Sequence, residues 1–435
     1  MNRQGTRATG TLTRMTPESS PDLRTSYRQV LAVSRFRLLL VGSTLTGTAD
    51  ALRIATLAML IYARTDSALL GAVTFGVGFL PQVIGSTLLG SLSDRIPPRR
   101  LIASGYALEC AAATLLALTD LPIWTCLVLV AAVAVWTPVC SGANNRVVGE
   151  PLTGDSYVLG RSLLNMVSSG AQLVGLATSG IAVTALGPHR ALLVCALAYA
   201  VAATVLRTGL PDLPAPGRGT RGPLAERGPW SVMRASLAST RGTLAEARVR
   251  GLLIAFWLPT GFVAGAEALI VPYAGQRGFP TASSAWLLAC LPVGMLIGDL
   301  AVGRLMQPAA RERAVVPLMA LLGLPLIAFF ASPPYLLCLL LLTVTGTGFS
   351  YGLGLQRAFL SSLDESRQGQ AFGLLASGLM TLQGVGPTVF GGLAQMATAG
   401  TAIGGAGLAT LVTALWTSTA VRPAPVARLH ENGPR

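Results

Sequence analysis

Long apolar stretches of similar length alternate with short polar connections along most of this chain. A bilayer hydrocarbon core of roughly 30 Å is crossed by about 20 helical residues, because backbone groups in lipid must pair within their own helix. On that measure the pattern predicts twelve spans, at 36–63, 68–92, 100–119, 122–145, 160–186, 189–208, 251–274, 281–306, 314–331, 334–357, 369–397 and 399–421. A polar, basic segment precedes them at 1–35, and a short tail follows at 422–435.

Charge placement tests the count independently. Every one of the 32 basic residues is arginine. With the N-terminus on the cytoplasmic side, 28 of these fall in cytoplasmic segments, Arg64, Arg190 and Arg277 fall outside, and Arg53 lies within span 1. A missed or invented helix would invert every later loop and erase this bias, so the pattern predicts an even span number and cytoplasmic termini. The longest interruption, 209–250, is rich in Pro, Gly and Arg and divides the spans six and six. Within it Trp230, Met233, Leu237 and Leu244, bordered by Arg234, Arg241 and Arg248, fit either an interfacial helix on an anionic leaflet or a solvated linker.

Arg35-Phe-Arg-Leu-Leu-Leu before span 1 is echoed by Arg248-Val-Arg-Gly-Leu-Leu before span 7. The echo suits two parallel halves with a substrate bound between them near the midplane. The expected organisation is a six-helix bundle at 36–208, the linker at 209–250 and a second six-helix bundle at 251–421.

Composition agrees and excludes other classes. Hydrophobic residues make up 52% of the chain and charged residues 11%, with a mean hydropathy of +0.60, which points to lipid as the solvent. No short apolar core and cleavage site of a secretory signal stands at the N-terminus. Cys110, Cys126, Cys140, Cys195, Cys290 and Cys338 sit inside apolar stretches and lack the spacing of a disulfide framework or zinc site, so they read as small core residues. The two histidines, His189 and His430, fall in a loop and the tail, and no Walker loop or nucleophile elbow occurs. Neither an enzyme nor an ATP-driven pump is expected, and no cofactor, metal or nucleic acid.

Span 1 carries the most polar intramembrane face. Ser43, Thr46, Gly47, Asp50 and Arg53 recur at helical spacing. An ionised side chain at mid-bilayer costs about 2.5–3.5 kcal/mol even on lenient insertion scales, so this face is expected to line a cavity or to pair internally. Asp50 and Arg53 form either a structural ion pair or a proton or cation site tuned by the arginine. By the register of the repeat, Glu267 in span 7 corresponds to position 54, one turn from Asp50, which would place an acid on each side of a central cavity. Glu109, in span 3, reads as a buried structural group or one that snorkels.

Between spans 2 and 3 the chain reads Gly90-Ser-Leu-Ser-Asp94-Arg95-Ile-Pro-Pro-Arg99-Arg100. This resembles the signature loop of the major facilitator superfamily, with Pro98 where glycine is commonest. The resemblance implies twelve transmembrane helices in two pseudo-symmetric bundles and a cytoplasmic gate. There Asp94 would sit against the helix start near 369–371 of the other half, while Arg95, Arg99 and Arg100 hold carbonyls and carboxylates and favour the outward-facing state. A worn copy, Asp299-Leu-Ala-Val-Gly303-Arg304, ends span 8 and fits a second gate or a structural ion pair. Gly384, Gly386, Pro387, Gly391 and Gly392 in span 11 look like the glycine-proline motif that antiporters of this superfamily carry in span 5; close packing with a kink is the other reading.

The chain thus resembles the drug:proton antiporter branch. The expected function is proton-driven export of small amphipathic or cationic compounds across the cell membrane by a monomer, with Asp50 and Glu267 as coupling or binding groups. Proton-linked uptake of a metabolite is the alternative, and a non-transporting membrane sensor or assembly factor is the alternative of another class.

Overall fold

The computed structural model describes residues 31–89, 96–149, 155–210, 241, 244–363 and 365–420. The architecture is all-helical among them, and the helices reproduce the twelve expected spans. The first bundle holds span 1 (Ser34–Thr65), span 2 (Ala68–Gly76 and Leu80–Leu88), span 3 (Pro98–Leu118), span 4 (Ile123–Gly149), span 5 (Asp155–Leu186) and span 6 (Pro188–Gly209). The second holds span 7 (Ala247–Ala268 and Ile270–Gln276), span 8 (Thr281–Leu305), span 9 (Val315–Ile327, closing in a 3-10 turn at Ala328–Ala331), span 10 (Tyr335–Thr347, Gly348–Ser350 and Tyr351–Ser361), span 11 (Glu365–Met396) and span 12 (Ala399–Ala420).

Ten of these helices are long and apolar enough to cross a membrane, and span 9 is a shorter apolar helix. Span 11 has the length, but its glycines and polar residues dilute its hydropathy. All six cysteines are free, five of them buried, as expected of small core residues.

Local sequence explains the interruptions. Pro81 has no N–H to give the carbonyl of Val77, and span 2 breaks between Gly76 and Leu80. Pro272 stands in the same relation to Ala268, where the first segment of span 7 ends. Spans 1 and 2 meet in a two-residue corner: Asp66 takes a left-handed conformation (φ 49°), its N–H bonding back to Tyr62, and Ser67 caps the next helix by accepting from Leu70 at 3.3 Å. Gly187 (φ 81°) makes the equally tight turn into span 6, with Pro188 at its first position.

The two ends of the molecule are held differently. At the arginine-poor end Arg64 pairs with Asp120 at 2.6 Å, and His189 Nδ1 lies 3.0 Å from the Ala117 carbonyl, tying together the ends of spans 1, 3 and 6. The largest apolar core joins the halves at this end. Its first-half members are Ala51, Ala55, Ala58 and Met59 of span 1, Ala68, Ala72 and Phe75 of span 2, and Leu176 of span 5, all packed into a core dominated by spans 7 to 12. Tyr62 lies against Gly275 of span 7, and Ser67 Oγ is 3.2 Å from Gln395 Oε1 at the end of span 11. Toward the arginine-rich end a separate core, built on Phe36, Leu39, Leu101, Ile102, Val139, Ala143, Val147, Leu206 and Leu210, contains no residue of the second half.

Span 11 packs against helices of both halves. A side chain at Gly386 would meet the Gly261 carbonyl of span 7, one at Gly384 would meet Leu80, and one at Gly391 would meet Ala72 and Leu69, whereas Gly392 faces open space. Pro387 sits within a helix that runs on without a break. Close packing therefore explains the glycines at 384, 386 and 391. Gly386→Val is expected to cost about 1–3 kcal/mol of overpacking strain, and Gly392→Val almost nothing. Thermal unfolding of both variants in detergent checks this: a drop in midpoint for the first and not the second is the expected result.

Candidate functional site

At mid-depth of the first bundle, spans 1, 3, 4 and 6 enclose a polar cluster. Asp50 stands halfway along span 1, Glu109 near the middle of span 3 and Tyr199 near the middle of span 6. Arg53 lies between them, its side chain only 8% exposed. Its Nη2 is 3.3 Å from Asp50 Oδ1 and 3.3 Å from Glu109 Oε2, and its Nε donates to Tyr199 Oη at 3.2 Å. Tyr199 in turn donates to Asp50 Oδ1 at 2.6 Å. One guanidinium thus serves two carboxylates, and the ionised cluster would carry one uncompensated negative charge.

The cluster opens on a cavity of ≈ 50 Å³ bounded by Thr46, Asp50, Tyr106, Glu109, Trp136 and Tyr199. Gly105 allows span 3 to approach span 4 here, where any side chain would collide with Cys140 and Trp136. Thr46 turns its hydroxyl back to the Gly42 carbonyl at 2.9 Å. Four buried polar atoms around the cavity lack a hydrogen-bond partner: Arg53 Nη1, Glu109 Oε2, Trp136 Nε1 and Asn144 Oδ1. The space admits several waters at about 10–15 Å³ each, but it is far below the roughly 300 Å³ of a pocket for a drug-sized ligand.

The residues expected from the sequence divide accordingly. Asp50 and Arg53 do pair, but the pair is incomplete without Glu109 and Tyr199. Glu109 is buried as expected, yet it does not snorkel, and its carboxylate reaches the cavity. Ser43 is half-buried and stands outside the cavity wall. Glu267 is half-buried in the last turn before the span 7 break, nearer the arginine-poor end than Asp50, and it is not part of this cavity.

Asp299 and Arg304 are exposed and make no ion pair among the described residues. Instead Arg311 closes the end of span 8, donating to the Met306 carbonyl at 3.0 Å and to that of Gly303. Gly90, Asp94 and Arg95 of the signature loop lie outside the described residues, as does most of the 209–250 linker with its candidate interfacial helix. Arg99 is half-buried and Arg100 exposed, both in the first turn of span 3.

Twelve membrane-crossing helices in two bundles, joined at one end and enclosing charge at mid-depth, define a polytopic secondary transporter rather than an enzyme. Residues 39–387 match the Major Facilitator Superfamily, and the chain belongs to that family. Solved structures agree in fold. The nucleoside transporter NupG is 13% identical, with a TM-score of 0.69 over 90% of this chain and 100% of that one. The inward-open xylose transporter XylE from E. coli is 13% identical, with a TM-score of 0.64 over 92% and 98%. The peptide transporter POT is 14% identical, with a TM-score of 0.64 over 91% and 98%. No curated protein sequence matches this one.

Proposed function

We propose that this transporter is a proton-coupled exporter of small amphipathic or cationic compounds in the cell membrane, working as a monomer and driven by the proton gradient alone. The observation that carries this reading is the mid-depth cluster. Two carboxylates share one arginine beside a cavity sized for water, an arrangement that can take up and release a proton but is too small to hold a whole substrate. Cargo would bind between the halves, where Glu267 offers a second acid, and an acidic excess on either side favours a cation.

Positive-inside placement makes the arginine-rich end cytoplasmic. The joint at the opposite end then corresponds to an inward-facing state, ready to load from the cytoplasm. The Gly90 to Arg100 loop would close that side when the halves rock, with Asp94 as its principal contact. Uptake is the competing reading, since the similar structures include transporters of nucleosides, xylose and peptides. Inverted and right-side-out vesicles loaded with a candidate compound under an imposed pH gradient separate the two. Accumulation only in inverted vesicles acidified inside is the result expected for export.

Two further outcomes follow from the rocking scheme. Cells expressing Asp94→Asn are expected to insert the protein normally yet lose most of the drug tolerance conferred by wild type in a susceptibility panel; wild-type tolerance would remove the gate role. Ser67→Cys combined with Gln395→Cys is expected to be bridged by a short thiol cross-linker, stopping flux until reductant is added. Full flux in the bridged protein would show that this end does not open.

A further inference from the structure

Asp50 and Glu109 are not equivalent partners of Arg53. Asp50 Oδ1 accepts from both Tyr199 Oη at 2.6 Å and Arg53 Nη2 at 3.3 Å, and its side chain is 44% exposed. Glu109 has only the ion-pair contact to that same Nη2. Its Oε2 lacks a hydrogen bond, and its side chain is 14% exposed. The other charged or titratable groups facing the pair are Tyr106 on span 3, Cys140 on span 4 and Cys195 and Tyr199 on span 6; Arg53 is the one cation among them.

A single guanidinium cannot compensate two carboxylates, and the one with fewer donors and less solvent pays more for its charge. We propose that Glu109 is the carboxyl that carries the exchangeable proton of this transporter, while Tyr199 and Arg53 satisfy the Asp50 carboxylate and the cavity brings water to the Glu109 carboxyl. Hydronium in the cavity gives one proton to the Glu109 carboxyl: an O–H bond of hydronium breaks, one forms on the carboxyl, water remains, and the cluster becomes neutral. Loss of that proton restores the net negative charge, and Arg53 is then shared between both acids. The proposal rests on the proton-coupled reading above and adds a residue on span 3 to it.

Infrared spectra of the purified protein in lipid vesicles test the assignment without any cargo. At mildly acidic pH the difference between wild type and Glu109→Gln is expected to contain the carbonyl band of a protonated carboxylic acid, shifted in heavy water, with no matching carboxylate bands. Asp50→Asn is expected to give carboxylate bands in the same comparison. Glu109→Asp, which keeps an acid if the glutamine variant folds poorly, is expected to move the acid band rather than remove it. Carboxylate bands assigned to Glu109, or an acid band assigned to Asp50, would overturn the proposal. An acid band at Glu109 in a protein without any pH-driven flux would sink the transport reading and leave the assignment of the proton standing.

Discussion

Arg53→Met is expected to be the most damaging single substitution in the first bundle. The arginine is buried and touches three side chains from three helices, so its removal leaves Glu109 and Asp50 facing each other with Tyr199 as the remaining donor. Breaking a buried ion pair from one side typically costs about 3–5 kcal/mol, because the abandoned charge stays buried. That is a large share of the margin of a folded protein. Thermal unfolding of purified protein, or the yield of monodisperse protein where none survives purification, checks it. Adding Asp50→Asn to Arg53→Met removes the abandoned charge as well and is expected to recover much of the loss in stability, but none of the flux. Equal instability of the single and double variants would mean that Arg53 contributes through packing rather than charge.

Asp50→Asn is expected to do the opposite, sparing the fold and stopping transport. Its side chain is the most exposed of the cluster, and an amide of the same shape can still accept from Tyr199 and Arg53. What it removes is the carboxylate against which Glu109 and Arg53 are balanced. Pumping driven by a pH gradient should fall to the background of empty vesicles, while the unfolding midpoint stays close to wild type. Near-normal flux in this variant would reduce Asp50 to a structural partner of Arg53.

The contrast between these variants tracks what could be read from residue order. Helix positions were legible because lipid leaves the backbone one solution per apolar stretch, and the arginine bias fixed how the stretches alternate. Asp50 and Arg53 were legible because they lie three residues apart on one helix face. Glu109 and Tyr199 join them only through the packing of spans 3 and 6 on span 1, and no periodicity along a single helix reports that. A weak signal existed. Glu109 follows Gly105 and Tyr106 on an otherwise apolar helix, and Tyr199 is a lone polar side chain among the alanines of span 6.

The apolar core that joins the halves also bears on how the protein is made. Ribosomes deliver spans 1 to 6 first, and these leave the alanines at 51, 55, 58, 68 and 72 without their partners until spans 7 to 12 arrive. Such a surface is shallow and smooth, so lipid tails can cover it temporarily and leave it easily. The first half should therefore persist alone in the bilayer as a stable but unsealed intermediate, and a gene cut within the linker should yield two fragments that find each other after separate synthesis.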